Sequence, residues 1–185
     1  MGKGLGESAN LDESLFRIGI YRTRLLWPTD LPFIRTFNEQ CSDFFVLQNG
    51  APPNEAEAEE IFNEVPPGRR VEDKLSIGIF DSDCTLVGLI DALRNYRIEF
   101  EWWIGLMLVA PASRNTGLGR QIHDAFENYA STCGAKRLLL AVLEKNTGAH
   151  RFWSKLGYHK VIGSSAQALW CRVHACTEFE KQILR

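Results

Sequence analysis

Between Val109 and Arg120 the chain reads Val-Ala-Pro-Ala-Ser-Arg-Asn-Thr-Gly-Leu-Gly-Arg. An apolar run ends at Pro111, and a short polar loop leads to Gly117 and Gly119. Beyond them Ile122, Ala125, Phe126, Tyr129 and Ala130 recur at i, i+3, i+4, i+7 and i+8. That spacing is one face of a helix, predicted over Gly117–Thr132 with Gly134 at the C′ position beyond its end. A strand that runs straight into an amphipathic helix must bury one against the other, so the fold needs a sheet with helices packed on it. The segment also offers chemistry. A helix N-terminus leaves N–H groups unpaired and carries about half a positive charge, which suits a phosphate or pyrophosphate. Without Cβ atoms, Gly117 and Gly119 let an anion approach the backbone, and Arg114 and Arg120 bracket the loop as charged donors. A P-loop would need Gly-Lys-Ser/Thr, but Gly119 is followed by Arg120 and Gln121. A dinucleotide fingerprint would need a third glycine where Ile122 stands. Taken alone, the two glycines serve equally well as a tight strand-to-helix turn.

Phe16–Leu26 alternates as a first strand. Trp27-Pro28-Thr29-Asp30 reads as a helix start with Thr29 as N-cap, and Ile34, Phe37, Cys41, Phe44 and Phe45 follow at helical spacing. Gly50-Ala51-Pro52-Pro53 ends that helix, and a short acidic one is predicted over Asn54–Glu64, closed by Pro66-Pro67-Gly68. Strands are predicted over Lys74–Phe80 and Leu86–Leu93, joined by the turn residues Asp81-Ser82-Asp83-Cys84, and over Glu99–Val109. Leu138–Leu143 is unbroken apolar, the pattern of a strand covered on both faces. A helix over Thr147–Leu156 ends at Gly157, and strands near Tyr158–Gly163 and Ala168–Ala175 close the chain. Strands and helices alternate only in the second half, so the expected class is α/β, one mixed sheet with helices on both faces. Met1–Ser14 is rich in Gly, Ser and charge and is expected to fray, leaving 15–185 as a single domain.

Composition narrows the function classes. With 21 Lys and Arg against 23 Asp and Glu there is no basic stripe, which disfavours nucleic-acid binding. The longest apolar run, Trp102–Ala112, falls well short of the roughly 20 residues of a membrane span. Cysteines 41, 84, 133, 171 and 176 are odd in number and scattered, the pattern of reduced thiols in a cytoplasmic protein. Cys171, His174 and Cys176 are the tightest group, but on a strand only His174 and Cys176 share a face. No second ligand pair sits at zinc spacing, so no metal is expected.

After the buried strand at Leu138–Leu143 the chain reads Asn146-Thr147-Gly148-Ala149-His150-Arg151-Phe152-Trp153-Ser154-Lys155-Leu156-Gly157-Tyr158. Arg-x-x-Gly-x-Gly at Arg114–Gly119, then an Asn after a strand and a helix ending in Leu-Gly-aromatic, resembles the GNAT superfamily of N-acetyltransferases. The resemblance covers Lys74–Gly163, and the first helices match it in arrangement only. It implies a mostly antiparallel sheet of about seven strands, with a central parallel pair, ending here at Val109 and Leu143, that splays apart. Acetyl-CoA is the implied co-substrate. The backbone of Met107, Leu108 and Val109 would receive the pantetheine arm as a sheet edge receives an added strand. Arg114, Asn115, Thr116, Gly117, Leu118, Gly119 and Arg120 would hold the pyrophosphate, Asn146 would bond the arm, and Phe152 and Trp153 would pack near the thioester. The implied activity is transfer of an acetyl group to a primary amine of a small molecule or peptide, by direct attack in a ternary complex. Relatives are often homodimers. The alternative reading is a non-catalytic acyl-CoA sensor.

That alternative is motivated by departures from the family pattern. Where many members carry a tyrosine as general acid, this chain has Trp153, whose indole N–H is no acid near neutral pH. Tyr129 and Tyr158 substitute by residue type only. A glutamate position commonly found before the Asn aligns with Ala141. Glu101 is the candidate base, with Glu99 and Asp91 as further options and a solvated strand-end carboxylate as the bland reading. The acidic run Glu55, Glu57, Glu59, Glu60 and Glu64 would attract a cationic amine, or is simply a solvated helix face.

Overall fold

The computed structural model describes residues 14–161 and 175–183. Its centre is an antiparallel meander of β2 (Lys74–Phe80), β3 (Leu86–Leu93) and β4 (Glu101–Val109). β1 (Arg22–Leu25) pairs with β2 at one edge. Beyond β4 lie β5 (Arg137–Leu143), β6 (His159–Lys160) and β7 (Cys176–Gln182), giving a seven-stranded sheet in the order β1-β2-β3-β4-β5-β7-β6. Every neighbouring pair is antiparallel except β4 and β5, and parallel neighbours require a crossover, supplied by α4 (Leu118–Thr132). Strand alternation divides the core. Ile77, Ile90, Trp102, Ile104 and Leu140 face α4 and α5 (Thr147–Lys155), where Phe126 and Trp153 pack on them. The opposite face carries Leu89, Leu106 and Leu108. These meet Ile34 and Phe37 of α1 (Leu31–Gln40), Phe45 of α2 (Ser42–Asn49) and Ile61 of α3 (Glu55–Asn63). Helices therefore cover both faces, as the apolar pattern of β5 requires.

Several elements depart from the sequence-based boundaries. The first strand shrinks to Arg22–Leu25, preceded by a single bridge between Ile18 and Tyr21. Asp30, not Thr29, organises the helix entry. Its carboxylate accepts from the Trp27 N–H at 2.9 Å and from both Arg24 terminal nitrogens at 2.8 Å. The first long helix is two helices, because the backbone turns at Cys41 (φ −90°, ψ 22°). Asn54 caps α3 by accepting from the Ala56 N–H at 2.8 Å. The predicted strand at Ala168–Ala175 lies outside the described residues except for Ala175, and the strand after it is Cys176–Gln182. Cys41, Cys84 and Cys133 are free thiols, while Cys176 is disulfide-bonded, which corrects the expectation of reduced cysteines throughout. Among the described residues no helix is long and apolar enough to cross a membrane.

The parallel pair is joined over only part of its length. Glu101–Ile104 of β4 pair with Arg137–Leu140 of β5, and there the pairing stops. Beyond that point each strand keeps its outer partner. Leu106–Val109 stay on β3, and Ala141–Leu143 stay on β7. The cause lies in β4. Asp91 and Ala92 of β3 face Leu106 and Ile104, so Gly105 is an extra residue, a bulge that bends the strand away from β5. A Cβ at Gly105 would sit 3.3 Å from Asp91 Oδ2, a tight contact that glycine avoids.

Candidate active site

A cavity of about 730 Å³ fills the gap between the separating strands. Its walls are Trp103–Val109 of β4 and Leu140–Leu143 of β5. The β4–α4 loop and the start of α5 close one end, and Asp43, Phe44, Leu47 and Gln48 of α2 flank it. Of the residues singled out from sequence, Met107, Leu108, Val109, Arg114, Asn115, Gly117, Gly119, Arg120, Asn146, Phe152 and Trp153 all line this space. Three do not. Leu118 turns into the core beside Ile122, and the Thr116 hydroxyl donates to the Ser113 carbonyl at 2.8 Å. Glu101 sits at the far end of β4, 2% exposed and ion-paired with Arg137, the residue opposite it in register on β5. It is not among the cavity's lining residues.

The loop end of the cavity is built around the N-terminus of α4. Gly117 adopts φ +91° at the N-cap of α4, a left-handed conformation that a side chain would strain, and Asn115 is left-handed at φ +61°. Among the described residues, the amide groups of Asn115, Thr116, Gly117, Gly119 and Arg120 make no hydrogen bond of good geometry. A Cβ at Gly119 would rest 3.5 Å from the Phe152 ring, so the helix start packs directly against α5. Arg120 is exposed and pairs with Asp124 at 3.3 Å. Arg114 is more committed. Its guanidinium grips Asp43 with two bonds of 2.5 and 2.9 Å, and its Nε donates to the Val109 carbonyl at 2.9 Å. That grip holds the Asp43 carboxyl below its ordinary range and ties α2 to the loop. Nothing in the local sequence reveals the contact, because 71 residues separate the partners.

The opposite wall begins at Asn146, the N-cap of α5, whose Oδ1 accepts from the Ala149 N–H at 3.0 Å. Trp153 packs edge-on against Phe152 (5.1 Å), His123 (5.9 Å) and Tyr158 (5.1 Å). Tyr158 is not among the residues that line the cavity. Its hydroxyl meets His123 Nε2 at 3.1 Å, and burial pushes its pKa well above the usual phenol value. Burial likewise pushes His123 below the ordinary imidazole value, so the ring is neutral. Tyr129 packs tilted against Phe16 and edge-on to Trp102, and it is not among the residues that line the cavity. Among the described lining residues the charged side chains are Asp43, Arg114, Arg120 and Lys155. The acidic run on α3 is a solvated face in part: Glu55 and Glu59 are exposed and pair with Arg35.

At the other end, beside Gly105 where β4 and β5 part, lies a buried polar knot that sequence reasoning left scattered. Lys74 Nζ meets Asp91 Oδ2 at 2.8 Å, and the Ser76 hydroxyl meets Asp91 Oδ1 at 3.0 Å. The signal for it was Gly105, since a glycine inside an apolar strand marks a bulge or a close approach.

Residues 34–158 match the Acetyltransferase (GNAT) family. No curated protein is similar enough in sequence to count as a relative. Among solved structures, an acetyltransferase from Thermus thermophilus superimposes with a TM-score of 0.71 at 20% identity, over 89% of this chain and 98% of its own. The ribosomal-protein-S18-alanine N-acetyltransferase from Escherichia coli gives 0.64 at 15% identity, over 89% and 95%. A spermidine N-acetyltransferase from Vibrio cholerae, solved in complex with CoA and spermine, gives 0.65 at 16% identity, over 89% and 96%. At these identities the structural likeness speaks for the fold, and the family match spans more than half of the sequence. The chain belongs to the GNAT family of acetyltransferases.

Proposed function

We propose that this protein transfers the acetyl group of acetyl-CoA to a primary amine of a small molecule or peptide, by direct attack while both substrates are bound. The observation that carries the reading is the unpaired edge of β4, which leads from a helix N-terminus with free amides to Gly105, where β4 and β5 part. Asn115, Thr116, Gly117, Gly119 and Arg120 offer amide donors to a pyrophosphate, and the Arg120 guanidinium adds charge. Arg114 acts at one remove, because it is engaged with Asp43 and in fixing the loop. The edge of Met107–Val109 offers peptide groups to the amides of a pantetheine arm, as a sheet edge does to an added strand. Asn146 presents its amide from the facing wall, and Phe152 and Trp153 exclude water near the reactive end.

Acetyl-CoA supplies an activated acyl thioester. The protein contributes position and polarity, holding the amine and the thioester in line with backbone donors aimed at the carbonyl oxygen. Starting from an ammonium, the attacking nitrogen sheds two protons, one before attack and one that the departing sulfur takes. With an amine pKa near 10.4, deprotonation before attack falls to water, since Glu101 is committed to Arg137. Incubating the protein with acetyl-CoA and panels of polyamines, amino-terminal peptides and lysine peptides, with thiol release and acceptor mass both followed, tests the reading. Acetylated acceptor formed above background hydrolysis supports it. Tight acetyl-CoA binding with no turnover on any acceptor instead supports a non-catalytic sensor, which Trp153 in place of a tyrosine and the locked Tyr158 hydroxyl favour.

A further inference from the structure

The cavity passes through the sheet. Side chains alternate along the open edge of β4, so Met107 and Val109 belong to the face of α4 and α5, and Leu106 and Leu108 to the face of α1, α2 and α3. All four line the same space. A coenzyme laid from the start of α4 along the strand gap takes the first side, where Arg120 and Lys155 stand. The other mouth is left for an acceptor. Its wall is Phe44, Leu47 and Gln48 of α2, with Leu106 of β4 and Ala141 of β5.

That wall is apolar. Phe44 is half-buried, its ring held edge-on to the buried Phe45 with centroids 5.4 Å apart, so it presents a fixed aromatic surface. Leu47 and Leu106 are half-buried beside it. Among the described lining residues Asp43 is the one carboxylate, and both of its oxygens are taken by Arg114. The acidic side chains of α3 do not line the cavity, and the sequence of 162–174, between β6 and β7, contains no Asp or Glu. An amine with several charges would leave ammonium groups desolvated without a counter-charge, which is costly. An amine with a single charge is served by the same wall. Desolvation disfavours its ammonium form and lowers its pKa, which eases the proton loss that falls to water.

We infer that the acceptor is a small monoamine carried on an apolar body, of the arylalkylamine kind, whose ring lies against Phe44, Leu47 and Leu106 while its nitrogen points between the separated strands. The inference rests on the acyl-CoA reading above and names the acceptor class within it. Phe44 and Leu47 set the specificity, by rewarding apolar surface and by leaving a second ammonium without a partner.

The test is steady-state kinetics of the full chain at one pH with acetyl-CoA and three amines: phenethylamine, spermidine and a peptide with an internal lysine. Calorimetry of CoA, and of each amine added to the CoA-saturated protein, runs alongside. Phenethylamine is expected to bind the CoA complex most tightly and to give a kcat/KM about tenfold or more above the other two, the scale that burial of one ring supplies. Leu47→Glu puts a carboxylate on the wall and is expected to move the ratio of the two small amines about tenfold toward spermidine. Equal or better use of spermidine or of the lysine peptide overturns the inference and leaves the coenzyme reading standing. CoA binding with no amine bound or turned over does the same. Absence of heat with CoA overturns the coenzyme reading and this inference with it. The order in which the amines bind the CoA complex decides even where turnover is absent or Leu47→Glu does not fold.

Discussion

Replacing Lys74 with methionine keeps most of the side chain's length and removes its charge. Lys74 Nζ lies 2.8 Å from Asp91 Oδ2 and donates to the Glu64 carbonyl at 3.1 Å, with both members of the ion pair 5% exposed. An exposed pair contributes about 0–1 kcal/mol, whereas removing one partner of a buried pair costs about 3–5 kcal/mol, because the other charge is left uncompensated. Asp91 keeps the Ser76 hydroxyl and can take up a proton, which places Lys74→Met near the lower end, about 3 kcal/mol. For a chain of this length that corresponds to a melting temperature lower by roughly 6–12 °C. The loss also depends on pH. Burial already pushes the Asp91 carboxyl above its ordinary range, with Lys74 pulling the other way, and without Lys74 it rises further. A carboxyl whose folded pKa is raised stabilises the fold below its unfolded pKa and loses that contribution as pH climbs through the folded value. The deficit of Lys74→Met should therefore be largest at neutral pH and narrow toward about pH 5. Urea denaturation of both proteins across that range measures it. A deficit under about 1 kcal/mol at neutral pH, or one that does not change with pH, refutes the picture of a buried, mutually dependent pair.

Gly119→Trp is expected to keep the fold, since its Cβ makes ordinary contact with Phe152 and Val109 and its ring can extend into the cavity, where it fills the channel proposed for the coenzyme. Its melting temperature should stay close to the parent's while calorimetric binding of CoA disappears. Asn146→Ala removes the cap of α5, for a loss of about 0.5–2 kcal/mol in urea denaturation, and weakens acetyl-CoA binding severalfold by removing an amide from the cavity wall. Burial holds His123 neutral in the folded protein, whereas the unfolded chain protonates it below about pH 6.5, so stability should fall as pH drops through that value, by at most about 1.4 kcal/mol per unit. His123→Gln, which leaves Tyr158 a polar neighbour, should flatten that slope in melting curves recorded across the same range.

β2 and β3 could be bounded from residues alone, because turn chemistry at Asp81–Cys84 separates them. The break between α1 and α2 could not. Phe37, Cys41 and Phe45 are all buried at helical spacing across it, so the periodic signal runs through a bend that only the backbone records. Glycines 117 and 119 marked the turn into α4, and Asn146 the cap of α5, since both depend on local cap geometry. Contacts between distant elements were invisible. Pattern placed Glu101 on the right strand, but its pairing with Arg137 came from the register of β4 against β5, and that register draws it into an ion pair away from the cavity. Trp103 hid in an apolar run and read as core. It is core, except for the one nitrogen whose partner is missing among the described residues.

Isothermal titration of the purified protein with acetyl-CoA tests the central claim most directly. The open edge of β4 and the free amides at the start of α4 predict saturable heat at one equivalent, lost in Gly119→Trp. An absence of heat at millimolar acetyl-CoA, or binding that survives Gly119→Trp unchanged, would contradict it.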